Sequence, residues 1–322
     1  MIQITKEGTI SSSKKKELEN LQNEFNENHC ILLPNFLEEK LLKFIQSKIQ
    51  EASFYTNIHP DSGVETCMKR NNPVLVLLQF LANDEKLFRL IERLTGCEKT
   101  NCFVGRIYSF MPGKGHHHSW HEDVGGNRLV AMSINLSTDI YSGGILKIRD
   151  RKSRKIYQEI SNTGFGDAVL FRIADHLEHK VTHIKGTIPK IAFAGWFRSK
   201  ISYDHFLKRK VARLNNNDQI TTDKQKQLLT TTKLNNRVII NKEIAYRKFN
   251  EDTFLLNVNN SKFCELNLVG SRVWQLLSRN KNLQKVLNIM KKEFDVPLNI
   301  LQRDILQLAK QLNAFGMIKT LK

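Results

Sequence analysis

No stretch of the 322-residue sequence approaches the ~20 consecutive apolar residues that a membrane-spanning helix needs. The opening MIQITKEGTISSSKKK also lacks the apolar core of a secretory signal, so a cytoplasmic protein is expected. Cysteine is sparse. Cys30, Cys67, Cys97, Cys102 and Cys264 are odd in number, scattered and without a C-x-x-C pair, which argues against a disulfide framework and a zinc ribbon and leaves reduced thiols. Internal repeats are lacking, and 40% hydrophobic with 25% charged residues excludes disorder throughout. The length suits about two domains.

Acidic residues run short in one half only. Residues 1–150 carry 18 Lys+Arg against 18 Asp+Glu, whereas residues 151–322 carry 32 against 14, so the whole net charge of +18 lies in the second half. Such asymmetry points to an acidic partner, either nucleic acid or an acidic peptide, unless it is merely a solvated basic surface.

Residues 1–20 are polar and are expected to fray. From about 21 to 50, Phe36, Leu37, Leu41, Leu42, Phe44 and Ile45 recur near helical spacing, and a second helical stretch covers about 73–95 and ends at Gly96. Between about 102 and 200 short β-rich runs (CFVGRIYSF, RLVAMSINLS, GGILKIRD, AVLFRI, IAFAGWF) alternate with glycine-containing turns, the pattern of a sandwich or barrel. Residues 201–232 read as a basic linker between an N-terminal domain, 1–200, and a C-terminal one, 233–322. The latter has strand-like runs followed by three helix-like runs, with stripes at Leu283, Val286, Leu287, Met290 and Phe294 and at Leu301, Ile305, Leu308, Ala309 and Leu312. Gly316 closes the last helix, and the layout is that of a small winged-helix domain.

The chemistry lies in SWHEDVGG. On a strand, His121 and Asp123 would share a face, and a second histidine from a distant strand would complete a 2-His-1-carboxylate triad that leaves positions on Fe(II) open. His176, His179 and His183 compete for that role. His179 is preferred because it leads into β-rich sequence with a turn at Gly186. On the strand that follows, Lys190, Ala192, Ala194 and Trp196 share one face, a cation beside two small residues with room for a ligand carboxylate; Arg198 has the same parity and stands in reserve. H-x-D alone is a weak motif, and His59-Pro60-Asp61 also satisfies it, but its proline disfavours a paired strand. His116, His117 and His118 are expected on a loop near the site entrance.

The stretch from about 100 to 200 resembles the 2-oxoglutarate/iron(II) dioxygenase superfamily of prolyl-hydroxylase-like type. The resemblance is collective: RIYSFMPG, then H-E-D, NLS with YSGGILKIRD, GDAVLF, HKV, Gly186, Lys190 and GWF. It implies an α+β protein whose oxygenase domain is a double-stranded β-helix, or jelly roll, with flanking helices. It further implies His121, Asp123 and His179 as iron ligands, Lys190 as the 2-oxoglutarate anchor and Tyr108 as a hydrogen-bonding partner of that co-substrate. Many relatives have arginine where Lys190 stands. The implied reaction consumes O2, converts 2-oxoglutarate to succinate and CO2, and oxidises a substrate C–H bond. Because Asp123 is present where related halogenases lack the carboxylate, hydroxylation is implied over halogenation.

Residues 233–322 resemble the PqqD-like peptide-recognition elements of ribosomal natural-product pathways, through RVIINKEIAYRKF, a hairpin ending in CELN, LVGSRVWQLLSRN and QRDILQLAKQLNAFGMI. The resemblance implies that the leader of a precursor peptide adds to the sheet edge at Lys262, Phe263, Cys264 and Glu265 and lies near Arg303, Gln307 and Lys310, whose cations suit an acidic leader. The rival reading makes the basic winged helix a nucleic-acid-binding appendage and the enzyme a nucleic-acid dealkylase. The basic half is not rich in aromatics interleaved with arginine, so nucleic acid is disfavoured. A small-molecule hydroxylase and a non-catalytic barrel are further alternatives.

Overall fold

The computed structural model describes residues 1–59, 63–161, 163–200, 203, 233–249 and 251–321. It divides into two units, Met1–Tyr203 and Asp204–Lys322. Apart from Tyr203, the expected linker lies outside the described residues.

The first unit does not begin with a frayed tail. β1 (Ile2–Ile4) and β2 (Thr9–Ser11) pair antiparallel, and the alternating Ile2 and Ile4 are buried, an apolar pair concealed within a polar tract. The helix expected over 21–50 is two helices, α1 (Lys15–Asn28) and α2 (Glu39–Gln50), separated by β3 (Cys30–Leu33). His29 turns the chain in the left-handed region between α1 and β3. β4 (Phe54–His59) and β5 (Gly63–Met68) form a hairpin. The next helical stretch is also split, into α3 (Pro73–Ala82) and α4 (Glu85–Thr95), because Asp84 leaves helical geometry and accepts a bond from the Lys86 amide at 2.8 Å, capping α4.

The remaining strands of this unit are β6 (Cys102–Phe110), β7 (His117–His121), β8 (Arg128–Asn135), β9 (Ser142–Gly143), β10 (Leu146–Asp150), β11 (Ile156–Ile160), β12 (Ala168–Arg172), β13 (Leu177–Val181), β14 (Ile184–Lys185) and β15 (Lys190–Arg198). Eleven strands form one antiparallel sheet in the order β11-β10-β13-β7-β5-β6-β15-β8-β12-β3, with β4 beside β5. It curls into a nearly closed barrel, consistent with the expected jelly roll. The long central pair β6 and β15 sets Gly105 directly opposite Gly195. There the backbones are so close that a Cβ on Gly195 would lie 2.1 Å from the Val104 carbonyl oxygen.

In the second unit β16 (Arg237–Ile240) pairs with β20 (Ile318–Leu321), and β17 (Ile244–Phe249), β18 (Asp252–Asn257) and β19 (Lys262–Leu266) make a three-stranded antiparallel sheet. Helices α5 (Leu268–Asn280), α6 (Leu283–Glu293) and α7 (Leu298–Ala314) pack with them. Their apolar stripes are core: Val273, Trp274, Val286, Leu287, Met290, Ile305 and Leu312 are buried. Gly316 follows α7 with φ +67°, the left-handed turn expected of it. Among the described residues, no helix is long and apolar enough to cross a membrane.

Candidate metal centre and peptide groove

β7 and β13 lie side by side, and His121 is directly opposite His179 in their register. β7 ends at His121, so Asp123 reaches the same place from the turn just beyond the strand rather than from the strand itself. The carboxylate is then held from two sides. Trp196 on β15 donates its indole N–H to Oδ2 at 2.7 Å, and Arg128 on β8 donates to Oδ1 at 3.1 Å. His179 Nε2 lies 3.4 Å from Oδ2 and His121 Nε2 4.0 Å from Oδ1. One ligand atom from each of the three residues falls within 4.8 Å of the others.

The donor set suits a divalent metal. His121 Nδ1 lies 2.7 Å from the Ser119 carbonyl oxygen, so Nδ1 carries the proton and Nε2 is left as the ligand atom. Burial, reinforced by the charge of His121, pushes the His179 imidazole down to about 3, so it is neutral and able to ligate near pH 7. His176 is not in the cluster; its ring packs against His29. His183 packs against His117.

The cavity beside the triad is lined by Arg106, Tyr108, His118, Phe171, Lys190 and Trp196, among others. Lys190 is 8% exposed, and its ammonium donates to the Gly144 carbonyl oxygen at 2.8 Å. Among the described residues no carboxylate pairs with it, and burial alone lowers it to about 8. The ammonium also lies over the Tyr141 ring, 5.7 Å from its centroid, and a buried cation with one carbonyl, one ring face and no counter-ion is a seat for an anion. Tyr108 is buried in the wall of the same cavity, its hydroxyl bonded to Ser133, and burial raises it above its ordinary value. Arg198, the reserve anchor, is not brought here: it donates to the Gly126 carbonyl oxygen outside the lining.

A second cluster adjoins the first and no motif announced it. Glu65 on β5 is fully buried. Arg106 grips it through Nε at 2.5 Å and Nη2 at 3.1 Å, His118 lies at 3.1 Å and His59 at 2.9 Å. Hydrogen bonds from His118 and Arg106 and the arginine's charge overcome its desolvation and hold the carboxyl well below the usual range. His59, Glu65 and His118 have metal-ligand spacing, yet Arg106 engages both carboxylate oxygens, so the cluster reads as an ion-pair network. Two expectations are corrected here. His59 is in the paired strand β4, and the 116–118 run leads into β7 instead of forming an entrance loop. The β5–β7 approach explains the first: Gly63 is so close to the His117 carbonyl oxygen (2.0 Å from an added Cβ) that only glycine fits. Pro60 and Asp61 lie outside the described residues.

In the second unit a groove of about 670 Å³ runs between the end of β19, the start of α5 and one face of α7. Of the expected peptide contacts, Glu265 and Gln307 line it. Phe263 and Cys264 are buried, and Lys262 stacks over the Phe315 ring. The α7 face is Asp304, Gln307, Leu308 and Gln311, so Arg303 and Lys310 are outside the lining.

Residues 106–198 match the family model described as 2OG-Fe(II) oxygenase superfamily, and residues 252–318 match that of Coenzyme PQQ synthesis protein D (PqqD). No curated protein matches the chain. Among solved structures, a 2OG-Fe(II) oxygenase family oxidoreductase from Burkholderia pseudomallei is 12% identical, covering 58% of this chain and 93% of its own, with a TM-score of 0.46. A prolyl-4-hydroxylase from Pseudomonas putida is 16% identical over 57% of this chain and 99% of its own, with a TM-score of 0.44. TbiB1 in complex with the TbiA(beta) leader peptide is 21% identical over 25% of this chain and 93% of its own, with a TM-score of 0.24.

Proposed function

We propose that this 2OG-Fe(II) oxygenase, joined in one chain to a PqqD domain, hydroxylates a side chain of a ribosomally made precursor peptide whose leader the PqqD domain holds. The observation that carries the reading is the convergence of His121, Asp123 and His179 on a cavity that also contains an unneutralised buried lysine. When bound, iron(II) with 2-oxoglutarate and O2 supplies the oxidising power for a C–H bond. The chain's own residues supply the rest. His121 offers its Nε2 and His179 its imidazole nitrogen, and Trp196 and Arg128 hold the Asp123 carboxylate in position. Lys190 receives the distal carboxylate of 2-oxoglutarate, with Tyr108 as a further hydrogen-bonding partner. The apolar walls, Phe171 and Val181 among them, limit water around the reacting atoms.

In the second unit we read β16–β20 with α5–α7 as a small winged helix, and the groove between β19 and α7 as the seat of the leader. Its described lining includes Asp252, Glu265 and Asp304 and no lysine or arginine. An acidic leader would therefore set its carboxylates against the flanking Arg303 and Lys310 rather than in the groove itself. Anaerobic titration of the full chain with Fe(II) and 2-oxoglutarate tests the oxygenase reading. A weak visible charge-transfer band is expected, lost in His121→Ala and in Asp123→Ala. Undiminished succinate formation by both variants would remove the metal assignment.

A further inference from the structure

The Arg106 guanidinium has five N–H donors, of which Glu65 takes the side-on pair, one on Nε and one on Nη2. Among the described residues, Cys67 is the one other side chain in hydrogen-bonding contact with the guanidinium, and no carboxylate besides Glu65 pairs with it, which leaves the end-on pair, formed by Nη1 and the second hydrogen of Nη2, without an acidic partner. The side chain lines the cavity of the metal triad, with its Cζ 5.8 Å from the Tyr108 ring and 5.7 Å from that of Trp196. Trp196 in turn holds Asp123, so Arg106 lies one side chain away from a metal ligand. Four elements build this arrangement: β6 carries Arg106, β5 carries Glu65, and His118 on β7 and His59 on β4 close around Glu65. The Cys67 thiol also donates to Glu65, at 3.1 Å, and a fully buried carboxylate so surrounded fixes the arginine's orientation at a cost that packing alone would not require. An end-on guanidinium fork is matched in shape by a carboxylate, and the cavity's other cation, Lys190, is already assigned to the co-substrate.

We propose that Arg106 orients the target residue of the peptide by binding a carboxylate that the residue itself carries, so that the oxidised side chain is an aspartate or glutamate. Glu65 is a positioning residue that acts through Arg106. This inference rests on the oxygenase reading above and adds its substrate class.

The test uses the full chain with Fe(II), 2-oxoglutarate and capped pentapeptides Gly-Gly-Xaa-Gly-Gly, Xaa being Asp, Glu, Asn, Gln or Pro. Peptide-stimulated succinate formation and the 2-oxoglutarate dissociation constant are measured. The Asp or Glu peptide is expected to stimulate at least about tenfold more than its amide counterpart, a difference equivalent to one charge-assisted bond. Arg106→Lys keeps the charge but lacks the fork, and should raise the acidic peptide's half-saturating concentration about tenfold with little change in 2-oxoglutarate affinity. Glu65→Gln should raise it in the same direction. Equal responses to acid and amide peptides, including none to either, overturn the proposal. So does an Arg106→Lys loss of 2-oxoglutarate affinity as large as that caused by Lys190→Met, since Arg106 would then be a co-substrate anchor. The charge-transfer band in the same preparations separates the two levels: band present without acid preference removes this inference alone, and band absent removes the reading beneath it as well.

Discussion

Lys190 shows how a single residue can be costly to the fold and useful to the site. Its ammonium is buried with one carbonyl and the Tyr141 ring as partners, and its pKa in the folded protein, about 8, lies below the ordinary lysine value near 10.5. The folded state therefore binds this proton less tightly than the unfolded state does. The destabilisation is full below pH 8 and disappears as pH rises from 8 to 10.5, and by linkage it amounts to about 3 kcal/mol at neutral pH. Lys190→Met should accordingly leave the ligand-free protein as stable as the parent or more so in urea at pH 7. It should also weaken 2-oxoglutarate binding by roughly a hundredfold, the scale of a buried charge-assisted contact. In the parent, that affinity should fall about tenfold per pH unit above 8, as the ammonium loses its proton. Calorimetric titration between pH 7 and pH 9.5 checks both: a flat profile, or a variant that binds normally, would mean Lys190 does not face the ligand. The parity of β15 made this residue legible in the sequence. The Glu65 cluster was not legible, because Glu65 meets Arg106 and His118 only after β5 is laid beside β6 and β7. Arg106 itself shares strand parity with Tyr108, the local signal that sets both on one face of β6.

Strands and helices were readable to different depths. The β-rich runs between 102 and 200 became β6, β8, β10, β12 and β15 because alternation and glycine-bearing turns are local signals. The helical stretches 21–50 and 73–95 were each cut by an interruption that periodicity does not register, a four-residue strand in one and an Asp84 cap in the other. On α7, Leu301, Ile305, Ala309 and Leu312 of the expected stripe are buried, while Leu308 and Gln307 line the groove with Asp304 and Gln311, and Arg303 and Lys310 flank it. Spacing identifies which helix face is buried and not which neighbour borders it. Local sequence also does not reveal where two backbones touch. Gly195 has an ordinary extended conformation, yet a methyl group there would collide with the Val104 carbonyl and the Gly105 Cα at 2.1 and 2.3 Å. Both obstacles are backbone, so β6 and β15 would have to separate just where they place Arg106, Tyr108, Lys190 and Trp196. Gly195→Ala is expected to cost about 2–3 kcal/mol and to abolish the Fe(II)/2-oxoglutarate band. A variant that unfolds at the parent's denaturant midpoint would show that the sheet has slack at this point.

For the whole molecule, the charge asymmetry and the two family matches describe a division of labour. The first 150 residues are electrically balanced, with charges such as Asp123, Glu65 and Arg106 committed to internal pairs around the cavity. The second half carries the whole positive excess, and its groove is built from a separate core, that of Trp274, Leu287 and Ile305. On the proposed function, catalysis and leader capture would draw on different residues, and the peptide would link them: a leader held by the second unit would raise the local concentration of the target residue at the first, to the millimolar range for a short flexible connection. Deleting residues 233–322 should therefore leave 2-oxoglutarate affinity within about twofold of the parent. The same deletion should weaken capture of a full precursor by about 10²-fold or more, the avidity that the tether contributed, and short leaderless peptides at high concentration should respond as before. Fluorescence anisotropy with a labelled precursor, beside titration with 2-oxoglutarate, separates the outcomes. Parallel loss of both affinities would mean that the second unit supports the barrel's fold instead of delivering its substrate.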